Sequence, residues 1–258
     1  MHIEVTGSGT PLLLIHGWGM HSGMWGQVAK KLAQSYKVYS VDLPGHGLSK
    51  VTVLNSANGV ESLDAIVAQL TAQFTEPINL CGWSLGGQIA LRWAQLHPAQ
   101  VNKLVLVAST PCFVQTSNWP TAMAAETLQG FADALIQNPT QTLRRFLALQ
   151  IRGSENEKEI LGDLRAQLFA KGEPDVDALK NGLEILRTID LRAALQNITQ
   201  ATLVIAGERD TLTPQAAAEY MAQSLPNARL EMIKGAAHAP FLSHPHVFMQ
   251  HLTRFLDE

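Results

Sequence analysis

Gly82-Trp83-Ser84-Leu85-Gly86 is the segment of this chain with the clearest chemical meaning. A serine with glycine two residues away on either side suits a sharp strand-to-helix turn, because the neighbours of a nucleophile held in strained backbone must be almost free of side chain. At about 7% usage for each residue type, such a pentapeptide arises by chance in roughly one chain of this length in ten. Its setting makes it specific: it follows the apolar run Ile78–Cys81 and opens a helical segment in which Gly87 allows close packing. A phosphate-cradling loop would need Gly-Lys-Ser/Thr at its end, which is missing.

A serine hydroxyl is a weak nucleophile at neutral pH, so a histidine must take its proton and an acid must orient that histidine. Of the nine histidines, His238 sits in the small-residue loop Gly235-Ala236-Ala237-His238-Ala239-Pro240, just after an apolar run. His97 ends a helix before Pro98, His244 and His246 begin one beside Pro245, and His16 and His46 read as structural or rim residues of glycine-containing loops. His244 and His246 have no carboxylate or cysteine cluster beside them, so no metal site is expected. Asp210 follows the run Leu203–Ile205 through Ala206-Gly207-Glu208-Arg209 and is the expected acid; Glu208 and Asp42 are rivals, Asp42 reading more as a brace for its own loop. The order Ser84, Asp210, His238 is that of a hydrolase built on a parallel sheet. A tetrahedral intermediate then needs two N–H donors: Leu85, after the nucleophile, supplies one, and Trp18, in the His16-Gly17-Trp18-Gly19 loop, is the expected second.

These loops need strands that end together. The runs Leu12–Ile15, Lys37–Val41, Ile78–Cys81, Leu104–Val107, Leu203–Ile205 and Leu230–Ile233 are mostly continuous, as strands covered on both faces are. Helical segments near 23–35, 60–74, 86–97, 214–224 and 245–256 alternate with them. That rhythm predicts an α/β fold with a mostly parallel, doubly wound sheet. Between 111 and 190 the rhythm stops. Thr121–Leu135, Thr140–Ile151, Glu155–Ala170 and Asp175–Thr188 all read as helices, so 111–190 is expected to be a helical cap inserted in a core of 1–110 and 191–258.

Composition narrows the class. The 258 residues are 46% hydrophobic and 16% charged, enough for one large core and unlike a disordered chain. A net charge of −3 offers no field for nucleic acid. Two cysteines suit a reducing compartment, and neither a basic-then-apolar N-terminal leader nor a membrane-length apolar stretch is present. A cytoplasmic, monomeric enzyme without cofactor is the expectation.

Taken together, His16-Gly-Trp-Gly, Asp42-Leu-Pro-Gly-His-Gly, Gly82-Trp-Ser-Leu-Gly-Gly, Gly207-Glu-Arg-Asp210 and Gly235-Ala-Ala-His238 resemble the α/β-hydrolase superfamily over nearly the whole chain. Ala108–Phe113 with Trp119-Pro120, Arg145–Gln150, Asn181–Leu191 and Lys234–Pro245 are similar to the pimeloyl-acyl-carrier-protein methyl ester esterases of biotin synthesis. That resemblance implies cleavage of a methyl ester on a pimeloyl group held by acyl carrier protein. It also implies substrate contacts at Trp18, Leu85 and the cap stretch Phe146, Leu147, Ala148, Leu149 and Gln150, and a basic cap surface facing the acidic carrier. Arg144, Arg145, Arg152, Lys158 and Arg165 could supply that surface, although Glu155, Glu157, Glu159 and Asp163 interleave with them. Trp18, Trp83, Phe113, Phe146, Leu149 and Phe241 could line an apolar channel, or belong to ordinary core. Rival readings are a short-chain carboxylesterase or carbon–carbon bond hydrolase with the same three residues, and a ligand-binding receptor on the same scaffold. Dehalogenases and epoxide hydrolases resemble this fold with Asp rather than Ser at position 84.

Overall fold

A computed structural model describes residues 1–51, 58–154 and 157–258. In chain order the elements are β1 (His2–Thr6), β2 (Thr10–Ile15), α1 (Gly26–Leu32), β3 (Tyr36–Asp42), α2 (Gly59–Thr71), β4 (Ile78–Trp83), α3 (Leu85–Leu96) and β5 (Val101–Val107). Then come α4 (Ala125–Gln137), α5 (Pro139–Leu149), α6 (Glu157–Gln167), α7 (Val176–Thr188), β6 (Ala201–Gly207), α8 (Gln215–Ser224), β7 (Ala228–Ile233), α9 (Pro240–Ser243) and α10 (Pro245–Asp257).

The seven strands form one sheet in the order β1-β3-β2-β4-β5-β6-β7, parallel except for β1 against β3. Leu12–Ile15 and Ile78–Trp83 are buried along their whole length, which is why they read as unbroken apolar runs. From β2 the chain first moves outward to β3, then returns to place β4 on the other side of β2. At that reversal two neighbouring strands send their exit loops apart, leaving the crevice in which open α/β sheets bind ligands. The loops after β2 and β4 carry Trp18 and Ser84.

β1 is absent from the apolar runs that the sequence shows. It is an edge strand with one partner, half to fully exposed, and needs no such run. The first of the four inserted helices also starts later than its sequence suggests, at Ala125. Phe113 O accepts from Met123 N and Met123 O from Gln115 N, so the preceding residues are held in bridged loop. Glu155, the expected first residue of the third helix, lies outside the described residues.

α5 and α7 show how the helices between β5 and β6 are capped and which faces they bury. Asn138 caps α5 by accepting from Gln141 N, with Pro139 in the first turn, and Asp175 caps α7 by accepting from Asp177 N and Ala178 N. Leu143, Phe146 and Leu147 make one buried face of α5; Leu179, Gly182, Leu183 and Leu186 make that of α7. Arg144 and Arg145 point the other way and are exposed.

Candidate active site

Ser84 is the turn between β4 and α3, at φ 56° and ψ −117°. This backbone is costly for a residue with a side chain, and the surroundings hold it there. Ser84 N donates to Val107 O at 2.9 Å, while Ser84 O accepts from Ser109 Oγ at 2.8 Å and Gly87 N at 2.9 Å. The glycines are required by space: a Cβ on Gly82 would lie 2.2 Å from Gly86 O, and one on Gly86 2.4 Å from Ile15 O. Ser109, two residues beyond β5, escaped sequence reasoning because nothing local marks its reach to the elbow.

The structure brings His238 and Asp210 together, with Nδ1 to Oδ2 at 2.8 Å and both residues buried. Asp210 Oδ1 also accepts from Leu212 N at 2.8 Å and Thr213 N at 3.0 Å, and Oδ2 from Thr213 Oγ1 at 2.6 Å. Four donors therefore converge on one carboxylate, which fixes its orientation and places the Nδ1 proton on His238. Thr213 is a second residue the sequence did not single out. The rival Glu208 instead accepts from Gly235 N at 2.9 Å.

Below the pair lie aromatic rings. Trp83 Nε1 donates to His238 O at 2.9 Å, and the Trp83 and His238 rings are 6.0 Å apart. The residue before Ser84 thus grips the loop of His238. His238 Nε2 is buried, and neither it nor Ser84 Oγ has a hydrogen-bond partner among the described residues. Trp83 and Phe241, offered by the sequence as channel lining, pack against each other and Trp25 as floor beneath the site.

Leu85 N is the first donor of α3, and helix geometry leaves it no partner in its own helix. Trp18 N likewise has no acceptor among the described residues. The Trp18 indole is buried, donating through Nε1 to Leu179 O of α7 at 2.9 Å and meeting Phe146 of α5 edge-on at 4.9 Å. Of the cap stretch, Phe146 and Gln150 make contacts with these loops: Gln150 O accepts from Ala239 N at 2.9 Å. Leu147 is wholly buried, and Ala148 and Leu149 are half-buried. One residue before Asp210, Arg209 donates through Nη1 to Gly153 O at 2.6 Å. Inserted helices or their linker thus touch the loops of Trp18, Asp210 and His238.

Arg144, Arg145, Arg152, Lys158 and Arg165 are exposed and form no ion pair among the described residues. Lys171, Lys180 and Arg187, from the same part of the chain, are each paired with a carboxylate. Glu155, one of the interleaved acids, lies outside the described residues.

His16, His46 and Asp42 are scaffold. His16 Nδ1 donates to Gly17 O at 2.8 Å and Nε2 accepts from Leu43 N at 3.0 Å, tying the loop after β2 to the loop after β3. Burial first, and the neighbouring His46 second, push its pKa down to about 3. Burial also lowers His46 and His21. Burial raises the Asp42 carboxyl, but the N–H groups of Leu48 and Ser22 outweigh it and leave the pKa below the usual range. Histidines held neutral in the fold, yet free to titrate near 6.5 when unfolded, make the unfolded chain the better proton binder below about pH 6.5. Stability is therefore expected to fall as pH drops below about 6.5, His16 contributing up to about 1.4 kcal/mol per pH unit down to about pH 3. Urea melts at about pH 7 and 4.5 check this; equal midpoints contradict it.

The family model for the alpha/beta hydrolase fold matches residues 10–245. A pimeloyl-[acyl-carrier protein] methyl ester esterase from Nitrosomonas europaea is 45% identical over 96% of both chains. Proteins of that name from Nitrosospira multiformis and Chromobacterium violaceum are 39% and 40% identical, over 99% and 100% of this chain and 97% and 98% of theirs. Among solved structures, an esterase from Exiguobacterium antarcticum superposes with a TM-score of 0.89 at 24% identity, covering 100% of this chain and 95% of its own. A bromoperoxidase from Bacillus anthracis gives 0.90 at 21%, covering 99% and 95%. At those identities the superpositions speak for the fold alone, whereas the end-to-end sequence matches are closer: the chain belongs to the alpha/beta hydrolase fold family and, within it, to the pimeloyl-[acyl-carrier protein] methyl ester esterases.

Proposed function

We propose that this chain is a serine esterase that hydrolyses the methyl ester of pimeloyl-acyl-carrier protein in biotin synthesis. The observation that carries the reading is the buried His238–Asp210 pair gripped by the residue before a strained Ser84, in a chain that follows those esterases from end to end.

Ser84 Oγ attacks the ester carbonyl as His238 Nε2 takes its proton, and Asp210 steadies the imidazolium. The Leu85 and Trp18 N–H groups receive the oxyanion. His238 protonates the departing methoxide, methanol leaves, and the pimeloyl group stays on Ser84. Water, deprotonated by His238, then attacks that acyl ester and frees Ser84, giving a carboxylate still joined to the carrier. Nucleophile, base and oxyanion donors are all side chains or backbone of this chain, so the scheme calls on no metal or cofactor.

The methyl ester is at the far end of the acyl chain from the carrier. Residues 111–190 act as a cap over the core of 1–110 and 191–258. The apolar chain passes beneath this cap beside Trp18 and Phe146, and the carrier stays outside. Phe146, Leu147, Ala148, Leu149 and Gln150 form the cap's substrate stretch. Arg144, Arg145, Arg152, Lys158 and Arg165, exposed and without an ion pair among the described residues, offer charges to the acidic carrier. The enzyme works in the cytoplasm as a monomer.

Methanol release from methyl pimeloyl-acyl-carrier protein by the purified chain, with growth of a biotin-requiring strain that lacks this esterase, tests the function. Reversing Arg144 and Arg145 to glutamate is expected to raise KM for the carrier-bound ester about tenfold, the effect of losing roughly 1.4 kcal/mol of charge complementarity. Turnover of a free methyl ester stays the same. Equal effects on both esters would remove the patch from the scheme, and absence of methanol release would remove the function.

A further inference from the structure

We propose that Gly182, inside α7, is a positioning residue for the oxyanion hole: its missing side chain makes the seat in which the Trp18 indole rests, and thereby holds the Trp18 N–H group on target. The inference rests on the assignment of that group as one of the two oxyanion donors.

Glycine is among the worst residues for a helix interior, so its presence in α7 needs a reason. Backbone conformation is not that reason, because Gly182 lies inside a regular helix and has no positive φ. Space is. A Cβ built on Gly182 would stand 2.5 Å from Cδ1 and 3.0 Å from Nε1 of Trp18, and 3.6 Å from Cδ2 of Leu85. One added methyl would press on the Trp18 indole, while meeting Leu85 only at ordinary van der Waals distance. Gly130 in α4 and Gly162 in α6, by contrast, have nothing within 4 Å of a built Cβ. Gly182 is therefore unlike the glycines of α4 and α6, whose missing side chains leave only open space.

Trp18 has no room to yield. Its ring is 1% exposed, tied by Nε1 to Leu179 O one turn earlier in the same helix, and backed by the edge of Phe146. The loop is clamped from other sides too. A Cβ on Gly19, at φ +68°, would lie 2.7 Å from Cδ2 of Leu143, and one on Gly17 would lie 3.2 Å from Cβ of Ser84. An indole pushed off α7 must therefore carry its own backbone N–H with it. A donor displaced from the developing oxyanion acts on the transition state more than on the bound ester, because the charge is only then appearing.

Gly182→Ala is expected to lower kcat on a methyl ester by about 10–10² fold, approaching the loss of one donor, with KM within about twofold. Trapping of Ser84 by a fluorophosphonate should slow in parallel, because that adduct's oxygen occupies the same hole. A double-mutant cycle separates positioning from simple damage to the helix. In a Trp18→Leu background the ring edge is gone, so adding Gly182→Ala should cost less than about twofold further. An equal loss in both backgrounds overturns the proposal, as does unchanged kcat in Gly182→Ala. If Gly182→Ala alone does not fold, the double variant should fold; its failure to do so also overturns the proposal. Ser84→Ala is the outer control. Activity surviving in Ser84→Ala defeats the esterase reading itself, whereas an inactive Ser84→Ala beside a fully active Gly182→Ala defeats only the seat.

Discussion

Ser84→Ala is expected to fold as the parent does and to lose about 10⁵–10⁶ of kcat on ester substrates, the scale seen when a triad nucleophile is removed. The fold should persist because the elbow is held by backbone bonds to Val107 O and from Ser109 Oγ, which alanine leaves untouched. Alanine at φ 56° is no worse placed than serine. The chemistry should vanish because nothing else near the Leu85 and Trp18 N–H groups supplies an oxygen nucleophile positioned on this turn. Methanol release under single-turnover conditions measures the loss. Undiminished turnover of a p-nitrophenyl ester by this variant would remove Ser84 from its assigned role.

Asp210→Asn is expected to cost about 10⁴ in kcat with little change in the substrate's KM. An ionised carboxylate presents two acceptor oxygens, and here both are used: Leu212 N and Thr213 N on one, Thr213 Oγ1 and His238 Nδ1 on the other. A carboxamide has one acceptor oxygen and an NH₂ group that donates. If its oxygen keeps the Leu212 and Thr213 amides, its NH₂ faces Nδ1, and imidazole responds by carrying its proton on Nε2. The nitrogen that should accept from Ser84 then already holds a proton. Asp210→Glu keeps the charge but not the reach, so Asp210→Asn isolates the tautomer effect. A pH–rate profile and fluorophosphonate trapping measure it; kcat within tenfold of the parent would show that Asp210 does not set the proton's place.

Some of this was legible in the residues and some was not. The elbow could be read because its constraints are local: Gly82 and Gly86 are needed within two positions of Ser84. The parallel core could be read because strands buried on both faces leave unbroken apolar runs, whereas β1, covered on one side by a single neighbour, leaves none. The ends of the inserted helices were harder. Bridging between Gln115, Phe113 and Met123 competes with helix at residues whose own propensities would allow it. Ser109, Thr213 and Gly182 were invisible for a different reason. Each acts through a contact fixed only when distant elements dock, and nothing in the neighbouring sequence distinguishes Gly182 from Gly162.

The linker from Gln150 to Gly153 has a mechanical implication. It accepts one hydrogen bond from the residue after His238 and another from the residue before Asp210. Lifting this strap removes a tether from the base and the acid in a single movement. A substitution that displaces this short segment is therefore felt on both sides of the proton relay at once.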